Sequence, residues 1–132
     1  MNLKLTSSDM GTYGDHQWTL GEWVETSGEG QLCGPGYLHY YEGTPELAVA
    51  LNPIHANFDF PRLFEVEVTG RTLCDHALKS GCTRMRIIRE LPVPIVSREA
   101  LIRWAIYCVQ AIPGRDPIPA WDAWASQWLS GR

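Results

Sequence analysis

Two short segments with the same alternation and opposite charge constrain this chain more than anything else in it. Leu63–Thr69 (LFEVEVT) puts Phe64, Val66 and Val68 on one face and Glu65 and Glu67 on the other; Thr83–Glu90 (TRMRIIRE) sets Met85 and Ile87 against Arg84 and Arg86. A period of two sustained this long fits a strand with one buried face and no helix. If the segments pair antiparallel, glutamate meets arginine across the solvent face, each pair contributing about 0.2–1 kcal/mol. The apparent basic stripe is then neutralised within the sheet instead of being presented to phosphate, and the expected core is Phe64, Val66, Met85 and Ile87.

The sequence before this pair has the composition of short strands and tight turns. His16–Leu20, Glu22–Thr26 and Gln31–Cys33 are short β-type runs, broken at Gly21, at Ser27–Gly30 and at Cys33-Gly-Pro-Gly36, and Tyr37–Tyr41 has strong β composition. Thr44-Pro45-Glu46 then starts a short helix, Pro45–Leu51, with Thr as N-cap, Pro in the first turn and Glu at the positive end. Asn52–Phe60 reads as a loop between Pro53 and Pro61, with Phe58 and Phe60 folding back on the core. After Pro92 and Pro94, Ser97 caps a helix to about Ile112, with Leu101, Ala105, Cys108, Val109 and Ile112 on one face. Pro113–Pro117 breaks it, and a last helix, Pro119–Leu129, carries Trp121, Trp124, Ala125 and Trp128 at helical spacing. Strands first and helices last give an α+β fold: a small antiparallel sheet with a short helix inserted and two C-terminal helices packed on it. At 132 residues the chain fits a single domain, mainly strands over 1–94 and helical over 95–132.

Composition narrows the function classes. A formal charge of −4 argues against binding nucleic acid through bulk electrostatics. No apolar stretch approaches the roughly 18 residues of a membrane span, and MNLKLTSSDM lacks an apolar signal core, so a cytoplasmic protein is expected. Cys33, Cys74, Cys82 and Cys108 form no CxxC pair and are expected as reduced thiols. A zinc site drawn from Cys33, Cys74, His76 and Cys82 is the competing reading, because soft ligands cluster from Cys74 to Cys82; the spacing matches no standard zinc knuckle.

Trp18, Gly21-Glu-Trp-Val24, Cys33-Gly-Pro-Gly36-Tyr37, Pro45-Glu-Leu-Ala48, Arg62–Val68 and Thr83–Ile88 together resemble a domain of unknown function seen in phage and bacterial genomes. The resemblance covers about three-quarters of the chain and implies a phage or prophage accessory protein, with no activity to carry over. Where that pattern has His after the Gly-aromatic pair, this chain has Leu38, and His39 stands one position later, on the opposite strand face.

Two functions follow. The first is a non-catalytic binding or interaction module, modulating a host factor, associating with itself or holding a small molecule. No nucleotide-loop, zincin or nucleophile-elbow motif is present, and six tryptophans and five tyrosines exceed what one core needs. Its binding candidates are Trp18, Trp23, Tyr37, Tyr40 and Tyr41, since such residues dominate interaction hot spots. It needs no cofactor. The second is an NAD-using enzyme: Gly36–Tyr41, Pro45-x-x-Ala48 and the EVEV strand are similar to the nicotinamide pocket of small ADP-ribosyltransferases. That similarity implies roles for Tyr37, His39 and Tyr40 around the nicotinamide ribose and for Glu90 as the carboxylate that stabilises an oxocarbenium-like state.

Overall fold

The computed structural model describes residues 1–75 and 79–131, in two compact units, 1–95 and 96–132. The first unit contains seven strands and one helix: β1 (Asn2–Thr6), β2 (Gly11–Thr12), β3 (His16–Gln17), β4 (Trp23–Glu25), β5 (Leu38–Glu42), α1 (Pro45–His55), β6 (Arg62–Asp75) and β7 (Lys79–Leu91). The second contains α2 (Arg98–Gln110) and α3 (Pro119–Ser130). The fold is α+β, as the element order implied.

β6 and β7 form the expected antiparallel pair, with Val66 opposite Ile87 and Val68 opposite Met85. Phe64, Val66, Met85 and Ile87 are all buried. On the other face Glu67 pairs with Arg86 at 2.5 Å, Glu65 with Arg89 at 2.5 Å, and Arg84 with Glu25 of β4 at 2.9 Å. Both strands run beyond the alternating segments. Gly70 looked like a strand end but forms a bulge: it takes φ +83°, the register shifts between Thr69 and Thr72, and Arg71 N–H donates to Thr83 Oγ1 at 3.0 Å. A Cβ at Gly70 would lie 2.2 Å from that same oxygen, so glycine is what lets the hairpin continue.

The sheet closes on itself. Its order is β4-β7-β5-β1-β6, and β6 returns to pair with β7. β1 closes the ring between β5 and β6, with Leu3 opposite both Tyr41 and Glu65. The closed interior is filled with large side chains: Trp18, Tyr40, Phe64, Val66, Cys82, Met85 and Ile87 form one buried cluster. On the outside of β1, Leu3, Leu5, Leu63, Ala48 and Leu51 are buried where α1 covers the strand.

Several expectations change. Gln31–Cys33 is a turn, not a strand, and of His16–Leu20 only His16–Gln17 is paired, with Gly11–Thr12. β1 has no counterpart among the expected strands; its alternation of Leu3 and Leu5 is only five residues long, although the Ser7–Gly11 turn follows it directly. Phe60 is 81% exposed, whereas Phe58 is half-buried. The Asn52 side chain explains this by clamping Phe58: its amide donates to Phe58 O and its oxygen accepts from Phe58 N–H, both at 3.0 Å. α1 runs one turn past Leu51 despite Pro53, because proline's fixed φ suits a helix and only one N–H is lost near the end.

In the second unit, Ser97 Oγ caps α2 by accepting from Ala100 N–H at 3.1 Å, as expected. The face is different: Ile106 is buried, whereas Leu101, Cys108 and Ile112 are exposed. α3 keeps its tryptophan stripe in ring contact, Trp124 lying 6.3 Å from Trp121 and 6.2 Å from Trp128, with Ala125 buried between the turns. Arg115 pairs with Asp122 at 2.5 Å and lies 4.8 Å from the Trp121 ring, tying the interhelical loop to the start of α3. No helix among the described residues is long and apolar enough to cross a membrane.

Candidate functional site

A cleft of about 420 Å³ opens beside β5, bordered by β1, by the Thr12–Asp15 turn, by the end of α1 and by the first residue of β7. A neighbouring hollow of about 590 Å³ shares Lys4, Thr12–Gly14, His39, His55 and Lys79 with it and extends toward Cys33–Pro35. A concave, mostly apolar site of this size with a few convergent polar groups is the usual form of a small-molecule site.

Apart from Asp15, the charged or readily protonated side chains that line it are basic. The chain has only two lysines, and both line the cleft, together with His39 and His55. Lys4 is 7% exposed. β1 alternation turns Leu3 and Leu5 toward α1, so Lys4 faces the ring interior, where its ammonium donates to the His39 carbonyl at 2.6 Å and lies 4.9 Å from the Trp18 ring. No ion pair joins it to a carboxylate among the described residues, and burial pushes its pKa down to about 8 from 10.5.

His39 Nε2–H donates to the Leu32 carbonyl, and burial followed by the nearby Lys79, Lys4 and His55 holds its imidazole below the usual range. His55 Nδ1 hydrogen-bonds the Tyr41 hydroxyl at 3.0 Å, with the two rings stacked 5.6 Å apart. Its pKa is lowered by burial and by Lys79, and Asp75 opposes the shift. Burial pushes the Tyr41 phenol up to about 12, so it remains a neutral hydroxyl. Lys79 Nζ reaches Cys33 Sγ at 3.3 Å.

The residues proposed from sequence are thus only partly brought together. His39, Tyr40 and Tyr41 line the cleft. Tyr37 borders the neighbouring hollow, yet its side chain is buried and its hydroxyl donates to Gly28 O at 2.9 Å. Trp18 is buried with its Nε1–H on Thr12 Oγ1 at 2.9 Å. Trp23 is half-buried, its ring taken by Arg84 at 4.0 Å and Arg86 at 4.7 Å. Glu90 lines neither hollow: it stands near the end of β7, opposite Phe64. There it holds Arg62 through two hydrogen bonds, at 2.8 and 2.7 Å, which keep its carboxyl below the usual range.

Cys82 is buried in the ring interior, Cys33 and Cys74 are exposed, and His76 lies outside the described residues. Among the described residues no group of three or more His, Cys, Asp or Glu side chains is placed to hold a metal.

Sequence reasoning missed Lys4, Lys79 and His55. The available signal was the rarity of lysine beside nine arginines. Residues 1–99 match the family model of a domain of unknown function, DUF7666. No curated protein and no solved structure matches the chain.

Proposed function

We propose, for a chain that belongs to the DUF7666 family of domains of unknown function, a binding module that holds a small organic anion in the cleft between β1, β5 and the end of α1. The observation that carries this reading is the convergence of both lysines and two histidines on one apolar-walled cleft in a chain whose net charge is −4. Cations packed beside one another raise each other's energy, and an anion relieves that repulsion. Aromatic and aliphatic walls from Tyr40, Leu5 and Phe58 suit the uncharged part of such a ligand.

An accessory role as a binder in a phage or bacterial setting agrees with this arrangement better than NAD chemistry does. Oxocarbenium stabilisation requires a carboxylate at contact distance, about 3 Å, and Glu90 is committed to Arg62 at the other end of β7. The buried positions of Trp18, Tyr37, Tyr40 and Tyr41 likewise favour a ligand entering a cleft over a partner docking on a flat aromatic patch.

The test is thermal unfolding of the full chain with glycolate or inorganic phosphate. Both anions are expected to raise the melting temperature, with less effect in Lys79→Met. Binding an anion raises the pKa of His39, which faces Lys79, Lys4 and His55, and of His55, which faces Lys79 and Asp75. Binding therefore takes up protons, and affinity should rise as pH falls from about 7 to 5.5. Equal effects on wild type and Lys79→Met, or none, would overturn the reading.

A further inference from the structure

We propose that Lys4 is an imine-forming amine, and that the anion taken by the cleft is a small carbonyl compound bearing a carboxylate, captured reversibly at Lys4 Nζ. This rests on the anion-binding reading above and adds to it the chemical class of the ligand and a covalent step.

The geometry supplies what such a step needs. Lys4 is buried yet lines the cleft, so its amine lies where a bound ligand would. Among the described residues only one of its three N–H groups is used, in the 2.6 Å bond to His39 O. No carboxylate is paired to it among the described residues, and burial disfavours its charged form more than the His39 carbonyl and the Trp18 ring favour it. At a pKa of about 8, roughly one Lys4 in ten is neutral at pH 7, against about one in three thousand for an ordinary lysine. Lys79, His39 and His55 line the same cleft and could hold the carboxylate while the carbonyl meets the amine.

The step balances without an oxidant or reductant. The Lys4 ammonium releases a proton, the nitrogen lone pair attacks the carbonyl carbon, and the carbonyl oxygen takes up a proton to give a carbinolamine. The nitrogen then gives up a second hydrogen as the hydroxyl departs, so that one water leaves and a protonated C=N bond remains. Its single N–H can keep the hydrogen bond to His39 O. Water reverses each step, so the capture is a binding event with a covalent stage.

Glyoxylate, an aldehyde with a carboxylate, is the probe, and glycolate, its alcohol, is the control that can bind but cannot form an imine. The full chain is incubated with glyoxylate and cyanoborohydride, whose hydride reduces the imine carbon to a stable secondary amine, and the label is mapped by peptide mass. Lys79 is the internal standard. Lys4 is expected to label at least roughly ten-fold faster than Lys79 at about pH 7.5, and excess glycolate should slow the labelling of Lys4. Lys4→Arg keeps the cation without the nucleophile; it should still be stabilised by glycolate and take no label at position 4. Labelling of Lys79 at an equal or greater rate would overturn the proposal. So would an unlabelled Lys4 in a protein that glycolate still stabilises, which would leave the anion-binding reading standing alone. If glycolate neither stabilises the chain nor slows labelling, the anion-binding reading fails with it.

Discussion

Lys4 carries an ammonium group against the Trp18 ring and the His39 carbonyl, and the two states of that group separate its effect on stability from all others. Its folded pKa of about 8 lies below the ordinary 10.5, so between these values the unfolded chain binds more protons than the folded one and stability rises with pH. Below pH 8 the full cost is present, on the order of 3 kcal/mol. Lys4→Met removes that cost and loses one hydrogen bond of about 1 kcal/mol, so the variant should be more stable than wild type at pH 7 by about 2 kcal/mol. Urea unfolding of both proteins at intervals from pH 7 to 10.5 checks this: the gap should shrink steadily above pH 8. Cys82, Tyr40 and Tyr41, whose pKa values are raised, titrate in both proteins and largely cancel in the difference. A gap independent of pH would show that the ammonium is not desolvated.

At the scale of elements, the β6–β7 hairpin divides its work between its faces. The inner residues are almost fully buried, Met85 and Ile87 at 0%, and Ile87→Ala should cost about 2–5 kcal/mol through lost burial and a cavity. The outer Glu67–Arg86 pair is nearly half-exposed on both sides, so Arg86→Gln should cost less than about 1 kcal/mol, mostly abolished by salt. Equilibrium denaturation of the two variants at low and high salt measures both. This division was legible beforehand, because a period of two assigns a face to each residue without reference to the rest of the chain. The hairpin's true length was not. Gly70 is compatible with a turn or a bulge, and only Thr83 on the opposite strand, bonded to Arg71 N–H, decides for the bulge.

For the whole molecule, the closed sheet and α1 make one compact unit over residues 1–95, and the matched family model spans nearly the same stretch, 1–99. A chain ending at Ile95 is therefore expected to unfold cooperatively and to keep its Trp18 fluorescence buried, and to retain whatever stabilisation glycolate gives the full chain. Calorimetry and tryptophan emission of that fragment test this; a fragment that melts without a transition would show that the helical residues after Ile95 are needed for the sheet to close.

Periodicity, capping and turn chemistry are local, and from them the sequence determined the β6–β7 pairing and its buried face, the Thr44 and Ser97 caps, the order of strands before helices and the excess of aromatic side chains. The cleft is not local. Lys4 and His39 are 35 residues apart, and Lys79 stands farther still along the chain. What joins them is closure of the sheet through β1, which turns a strand with an outward apolar face into one whose other face is interior as well. A lysine in such a strand reads as solvated for as long as only its neighbours are considered. Its burial, the low pKa that follows and its meeting with two histidines at one cleft are decided when β5, β6 and β7 complete the ring, because desolvation depends on every atom that displaces water, not on the residues next in sequence.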